Sequence, residues 1–168
     1  MNILETDRLV LRKLTIDDAG FILVLVNQPS FIQYIGDRGV RTLDDARDYI
    51  LKKLIDSYKR FGFGLYLTLL KETEVPIGIC GLVKREALED VDIGFAFLPQ
   101  YWSKGYAFES ASAVLAYAIE ALGIKRIAGI TSPDNHGSIR VLEKMGLKFK
   151  KMVRLSDDDI ELELFTSD

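Results

Sequence analysis

The sequence has little of the chemistry on which many enzymes depend. Its 168 residues include one cysteine, Cys80, and one histidine, His136. A single cysteine excludes an internal disulfide, and its apolar setting at 76–83 indicates a small buried side chain rather than a nucleophile. With one histidine we expect neither a histidine-based triad nor a zinc cluster, and therefore no metal.

Other function classes lack their usual signals. The net charge of -3 gives no basic footprint for nucleic acid. No apolar run is long enough to cross a bilayer and the first residues do not form a signal pattern, so we expect no membrane partner and a soluble cytoplasmic protein. Neither a P-loop nor the Gly-x-Gly-x-x-Gly of dinucleotide-binding domains is present.

The sequence instead has an ordinary globular composition, with 48% hydrophobic and 28% charged residues, and predicts one domain over 1–168. No repeat or linker divides it. Period-two segments alternate with helical ones, which predicts an α/β domain whose mixed sheet carries helices on its faces. The predicted strands are 8–14, 64–70, 75–84, 91–98, 125–131, 147–154 and 159–165, and the predicted helices are 15–27, 42–61, 105–122 and 134–145.

The most informative segment, 100–109, lies between a predicted strand and a long predicted helix. A turn there leaves backbone N–H groups without carbonyl acceptors at the helix N-terminus. Together with the helix dipole they form a site suited to phosphate or pyrophosphate.

The strand before that turn has one bulky face and one small face. Asp92, Gly94, Ala96 and Leu98 share the second face, so Gly94 and Ala96 leave a trough for an extended ligand or, alternatively, for a closely packed helix. Asp92 opens this face. In a partly dry groove its pKa would rise toward that of a general base; the alternative is a solvated aspartate at a strand end.

A second group of polar residues begins the last helix. Asn135 and Ser138 are three residues apart and therefore share one helix face. They are interpreted either as a functional pair or as a simple N-cap made by Asp134 or Asn135.

Three segments together resemble the GNAT superfamily of acyl-CoA-dependent N-acetyltransferases, and most closely the branch of the ribosomal-protein N-terminal-alanine acetyltransferases. They lie in family order over nearly the whole chain: 4–19, 92–109 and 135–147. The resemblance implies a mostly antiparallel sheet of six or seven strands flanked by about four helices. It also implies acetyl-CoA as co-substrate and a primary amine as acceptor, either a protein N-terminus or a small molecule.

The resemblance further implies where coenzyme A binds. Anchoring the family's loop at Gln100 puts Ser103 on its first glycine and Gly105 on its second. A non-glycine residue at Ser103 costs on the order of 1 kcal/mol if φ is positive there. The pantetheine would pair with the strand backbone near Phe97 and Leu98, and the pyrophosphate would bind to backbone amides of the loop and first helical turn, at Ser103, Lys104, Gly105, Tyr106, Ala107 and Phe108.

For catalysis, the resemblance places Asn135 on the pantetheine and Ser138 near the sulfur as proton donor. The candidate bases are Asp92 and Asp157, although the acidic run 157–159 is more simply interpreted as a solvated hairpin turn. The amine would attack the thioester directly. The alternative, based on Ser103, is a non-catalytic acyl-CoA-binding or regulatory domain with the same fold. A homodimer stays open.

Overall fold

The structure, a computed structural model, describes residues 2–157 and 159–167. One sheet of eight strands runs through the domain in the order β1-β2-β3-β4-β5-β6-β8-β7. Every neighbouring pair is antiparallel except β5 and β6, which are parallel. The strands are β1 (Asn2–Glu5), β2 (Leu9–Arg12), β3 (Leu65–Leu70), β4 (Pro76–Val83), β5 (Val91–Phe97), β6 (Ile127–Thr131), β7 (Lys148–Val153) and β8 (Leu162–Thr166).

Helices cover both faces of the sheet. They are α1 (Ala19–Val26), α2 (Pro29–Tyr34), α3 (Leu43–Tyr49), α4 (Asp56–Phe61), α5 (Tyr106–Glu120) and α6 (His136–Lys144), and a π-helical segment, Ile50–Ile55, joins α3 to α4. One hydrophobic core lies between the sheet and α5 and α6. The second lies between the opposite face and α1, α2, α3 and the π segment.

The π segment explains an unusual spacing in the sequence. Ala46, Ile50, Leu54 and Tyr58 are each four residues apart, and all four are buried. In an α-helix each four-residue step rotates the side chain by about 40° around the axis, so after three such steps the side chains would no longer share one face. The wider π turn, with roughly 4.4 residues, drifts in the opposite direction and offsets much of this rotation. The four side chains therefore all reach the interior.

The predicted fold class is confirmed, with differences at the edges. The sheet has eight strands rather than six or seven, because Asn2–Glu5 pairs with β2 as an extra edge strand. The segment 29–39, interpreted from the sequence as a loop or a short irregular helix, begins with the short helix α2. With α3, the π segment and α4 counted as one continuous helix, five helices flank the sheet.

One carboxylate joins the start of α5 to the N-terminal strands. Glu109 accepts hydrogen bonds from the Thr6 hydroxyl, the Arg8 amide at 3.0 Å and Arg8 Nε at 2.7 Å. The Arg8 guanidinium also donates to the Lys104 carbonyl at 3.0 Å and lies 4.4 Å from the centre of the Tyr106 ring. The turn before α5 is thereby tied to the chain about one hundred residues earlier. No local pattern in the sequence indicated this clamp, because it joins residues far apart in the chain.

The clamp predicts a pH-dependent contribution to stability. Partial burial alone would raise the pKa of Glu109, but the hydrogen bonds from Thr6 and Arg8 lower it below the ordinary value. A lowered pKa means that the contribution is present above about pH 4.5 and is lost as the pH falls through the folded-state pKa. We expect Glu109→Gln to lower the free energy of unfolding by about 1 kcal/mol at pH 7 and by less at pH 3.5, as measured by urea denaturation.

The control is Asp44→Asn, which removes an i,i+3 ion pair with Arg47 whose Asp44 side chain is 91% exposed. This variant is expected to change stability by less than about 0.5 kcal/mol. An equal loss in both variants, or a loss for Glu109→Gln that does not shrink in acid, would contradict the clamp.

Candidate active site

The parallel strands β5 and β6 separate soon after they meet. Only two residue pairs, Val91 with Ile127 and Asp92 with Ala128, join them. Beyond these pairs a cavity of about 680 Å³ opens between the strands and reaches both faces of the sheet. Residues of β5 and β6, the turn before α5, the first turn of α6 and the α1–α3 region line it. The separation therefore produces a large concave site lined by elements from both faces of the sheet.

The unpaired side of β5 presents free backbone groups to this cavity. The Leu98 amide donates to the Ile77 carbonyl of β4 at 3.0 Å. Backbone N–H and C=O groups alternate in direction along an antiparallel strand. Those of Phe95 and Phe97 therefore point away from β4 and into the gap. The Phe97 carbonyl already accepts from Trp102 Nε1 at 2.9 Å. An extended ligand could pair, as an additional strand, with the remaining backbone N–H and C=O groups of Phe95 and Phe97.

The small face of β5 forms the predicted trough. A Cβ added to Gly94 would meet only Leu65 Cδ2 at 3.3 Å and Val83 Cγ2 at 3.5 Å within 4 Å. These are neighbouring side chains of the sheet and not helix atoms. The alternative of close helix packing at Gly94 therefore fails within the described part of the chain. Gly94 and Ala96 both line the cavity.

Asp92 is buried in the wall of the cavity, not solvated at a strand end. Its side chain is 1% exposed and its Oδ1 lies 3.1 Å from Arg85 Nε. Burial penalises the carboxylate and raises the pKa of Asp92 to about 6, although the Arg85 cation acts in the opposite direction. An aspartate in this setting holds or releases a proton near neutral pH. Arg85 was not singled out from the sequence, although the β4–β5 hairpin register pairs Val83 with Asp92 and brings it close.

The turn before α5 has two residues in the left-handed region, Ser103 with φ 60° and Gly105 with φ 86°. Glycine adopts this conformation without penalty, whereas serine does not. The first helical hydrogen bond runs from the Glu109 amide to the Gly105 carbonyl at 3.0 Å. Among the described residues no side chain caps the helix. The amides that precede Glu109 in this turn are therefore available to an anion.

The first turn of α6 forms the opposite wall. Asn135 Oδ1 accepts from the Ser138 amide at 3.3 Å, so Asn135 does cap the helix. Ser138 also lines the cavity, as do the cationic side chains of Arg140 and Lys144 one turn apart on the same helix. The Lys144 ammonium lies 4.5 Å from the centre of the Phe108 ring on α5. Asn135 thus caps α6 and also lines the cavity.

The structure brings most of the predicted site residues together. Those that line the one cavity are Asp92, Phe97, Ser103, Gly105, Tyr106, Ala107, Phe108, Asn135 and Ser138. Leu98, Gln100 and Lys104 lie outside the lining, and both main-chain groups of Leu98 are used within the protein, its carbonyl by the Tyr101 amide. Asp157 is exposed in the turn after β7 and is likewise outside the lining, while its neighbour Asp158 lies outside the described residues.

Comparison with known proteins decides the family. The sequence model of the family described as "Acetyltransferase (GNAT) domain" matches residues 8–148. The chain belongs to the GNAT acetyltransferase family. It is therefore an N-acetyltransferase, and GNAT enzymes use acetyl-CoA. The resemblance drawn from the three sequence segments is confirmed.

Relatives and solved structures agree with this assignment. An N-acetyltransferase of Bacillus subtilis, YoaA, is 31% identical over 154 residues, which cover 90% of this chain and 86% of YoaA. A GNAT-family acetyltransferase structure from Bacillus anthracis has a TM-score of 0.79 at 25% identity, covering 99% of this chain and 97% of that one. RimL, a ribosomal L7/L12 α-N-protein acetyltransferase solved with coenzyme A, shares the fold with a TM-score of 0.84 at 17% identity over the full length of both chains.

Residues 2–157 and 159–167 lack two further features. None of the helices there has the length and apolar character needed to span a membrane. The same residues contain no group of three or more His, Cys, Asp or Glu side chains arranged to bind a metal ion.

The left-handed conformation of Ser103 predicts measurable strain. We expect Ser103→Gly to raise the free energy of unfolding by about 0.5–1 kcal/mol. The reason is that glycine removes the steric strain of the Cβ at positive φ in the folded state, and this gain exceeds the added conformational entropy of the unfolded chain. Ser103→Ala, which keeps the Cβ and removes the hydroxyl, is the control and is expected to bring no such gain. Chemical denaturation measures both. A glycine variant no more stable than the alanine variant would show that the turn is unstrained.

Proposed function

We propose that this GNAT enzyme transfers the acetyl group of acetyl-CoA to a primary amine by direct attack of the neutral amine on the thioester. The observation that carries the proposal is the continuity of one cavity. It joins the free amides at the start of α5 to the buried carboxylate of Asp92 along the unpaired edge of β5. An extended acyl-CoA and an amine entering from the other face of the sheet would meet at this edge.

Acetyl-CoA is expected to bind along the turn and the strand. The pyrophosphate would accept hydrogen bonds from amides between Ser103 and Phe108, where the helix dipole favours an anion. The cationic side chains of Arg140 and Lys144 in the same cavity add to this preference. The pantetheine would pair with the backbone of Phe95 and Phe97, which extends the predicted contact at Phe97 by two residues toward Asp92.

The reaction requires three events that these residues can serve. The amine nitrogen forms a bond to the thioester carbonyl carbon, and an inward N–H of β5 polarises the carbonyl oxygen. The C–S bond then breaks, Ser138 donates a proton to the departing thiolate, and the serine regains the proton that the new amide nitrogen loses. Asn135, fixed by its cap hydrogen bond at 3.3 Å, would hold the pantetheine with its remaining amide group.

Asp92 is the better candidate for the base that removes the ammonium proton. It is buried in the cavity wall with its pKa raised to about 6, so it is largely ionised at neutral pH and can still take up a proton. Arg85 keeps the carboxylate oriented through Nε. Asp157, exposed outside the lining, would have to act through water or a moving turn.

The binding step predicts stabilisation by ligand. Acetyl-CoA at 100 times its Kd should raise the free energy of unfolding by about 2.7 kcal/mol, whereas AMP should not. Ala107→Asp is the informative variant. An acidic residue in the first turn of α5 suits the helix dipole and preserves the fold, but it repels pyrophosphate. Thermal denaturation should therefore show a ligand-induced shift in the parent protein and none in the variant.

Transfer is then measured as thiol release from acetyl-CoA in the presence of amines. If thiol release depends on the amine, the protein is an enzyme and not a domain that only binds acyl-CoA. No thermal shift at near-millimolar acetyl-CoA would refute the proposed site.

The base assignment predicts a pH profile. The rate at saturating amine should rise through about pH 6, because Asp92 must be deprotonated to accept a proton. Asp92→Asn keeps an acceptor for Arg85 and should lower turnover roughly 100-fold while removing that limb. Asp157→Asn is the matched comparison and should leave both the turnover and the pH profile unchanged. The opposite pattern would move the base to Asp157, and no effect in either variant would exclude both.

A further inference from the structure

The end of the cavity on the α1–α3 face has an aromatic wall and few charges. Phe31 and Tyr34 of α2 and Tyr49, the last residue before the π segment, line it. Neither tyrosine side chain makes a hydrogen bond within residues 2–157 and 159–167, so both hydroxyls are available. This end lies on the same side of the sheet as Asp92, Gly94 and Ala96. It is the part of the cavity where an acceptor amine would enter.

Arg38 is the one charged side chain that lines this wall between residues 25 and 49. It makes no ion pair or hydrogen bond within the described ranges. Its neighbour Asp37 is already paired with Arg41 at 2.6 Å. On α3, Asp45 accepts from the Arg41 and Thr42 amides.

The remaining acid near this loop is also engaged, since Asp48 lies 4.0 Å from Lys52. Asp45 and Asp48 line a smaller cavity together with Arg38, but among the described residues no acid lies within ion-pair distance of its guanidinium.

The loop that carries Arg38 is held in a defined position. Asp37 and Arg41 close it by their ion pair, and Arg41 also donates to Asn27 Oδ1 at 3.2 Å. Asn27, at the end of α1, donates to the Val40 carbonyl at 2.9 Å. Such bonds fix the loop against α1 and keep Arg38 beside the cavity.

The second cation at this end is only partly satisfied. Arg85 uses Nε for Asp92, and within the described residues its terminal nitrogens have no acceptor. With Asp92 ionised, the groups Arg38, Arg85 and Asp92 leave a net positive charge at the acceptor end. A polycation would be repelled there, whereas a second, anionic group on the acceptor would be attracted.

We propose that the acceptor is a small amine that also carries a carboxylate, which Arg38 binds, with an apolar body that packs against Phe31, Tyr34 and Tyr49. The proposal rests on the proposed acetyl transfer and names its substrate class. A guanidinium matches a carboxylate through paired N–H donors, and an aromatic wall matches an apolar side chain. Amino acids with an apolar side chain combine these features, whereas polyamines and aminoglycosides have the wrong charge.

The test compares each acceptor with its own amide. L-Phenylalanine and L-leucine are assayed beside L-phenylalaninamide and L-leucinamide, with spermidine as the polycation, by thiol release from acetyl-CoA. We expect kcat/KM to be at least about ten-fold higher for each acid, as for one added charge-assisted hydrogen bond. The amide has the less basic amine and more of it is neutral, so amine protonation would favour the opposite order.

Variants at Arg38 test whether this side chain causes the preference for acids over amides. Arg38→Gln should lower kcat/KM for the acids about ten-fold and leave the amides unchanged, and Arg38→Glu should reverse the order. Arg47→Gln is the control, because Arg47 is an exposed arginine of α3 outside the cavity lining. It should behave like the parent protein.

The possible results separate this proposal from the underlying function. Amides or spermidine used as well as the acids would overturn the substrate class while supporting acetyl transfer. A preference that survives Arg38→Gln would overturn the role of Arg38. Binding of acetyl-CoA without acetylation of any amino acid would also overturn the substrate class. Absence of both acetyl-CoA binding and thiol release would refute the proposed function itself.

Discussion

The separation of β5 from β6 is the constraint on which the site depends. Two parallel pairs hold the strands together at Val91 and Asp92, and every later residue of β5 has lost its partner on that side. A fully paired sheet would bury the backbone of Phe95 and Phe97 in hydrogen bonds. The interrupted one opens a cavity through the sheet and leaves those groups for a ligand, while α5 and α6 on one face and α1–α3 on the other supply its walls.

Burial at the base of this cavity sets the chemistry of Asp92. Removing a carboxylate from water favours its protonated form, and the nearby Arg85 guanidinium favours the ionised form. The balance, with a pKa of about 6, suits proton uptake near neutrality better than either a fully paired or a fully solvated aspartate would. The same Arg85 contributes to the positive field at the acceptor end. One ion pair thus links the proposed base to the proposed acceptor class.

Sequence reasoning recovered the features that depend on local pattern. The alternation of bulky and small residues in β5 located the trough at Gly94 and Ala96. The anion site at the turn before α5 stays a prediction. The exact four-residue spacing from Ala46 to Tyr58 indicated a helix but not its π segment. Local pattern did not distinguish a buried Asp92 from a solvated one, because burial depends on elements packed over the strand from elsewhere in the chain.

The sequence by itself determined the fold class and the family resemblance, since these follow from periodicity and ordered motifs. It raised positive φ at Ser103 only as a condition, and the structure supplied the angle. Only the tertiary structure decided that β5 and β6 separate, that Arg8 and Glu109 clamp the turn, and that Arg38 lines the cavity without an ion pair among the described residues. Each of these joins residues far apart in the chain, and contacts of that kind are set by packing rather than by local pattern.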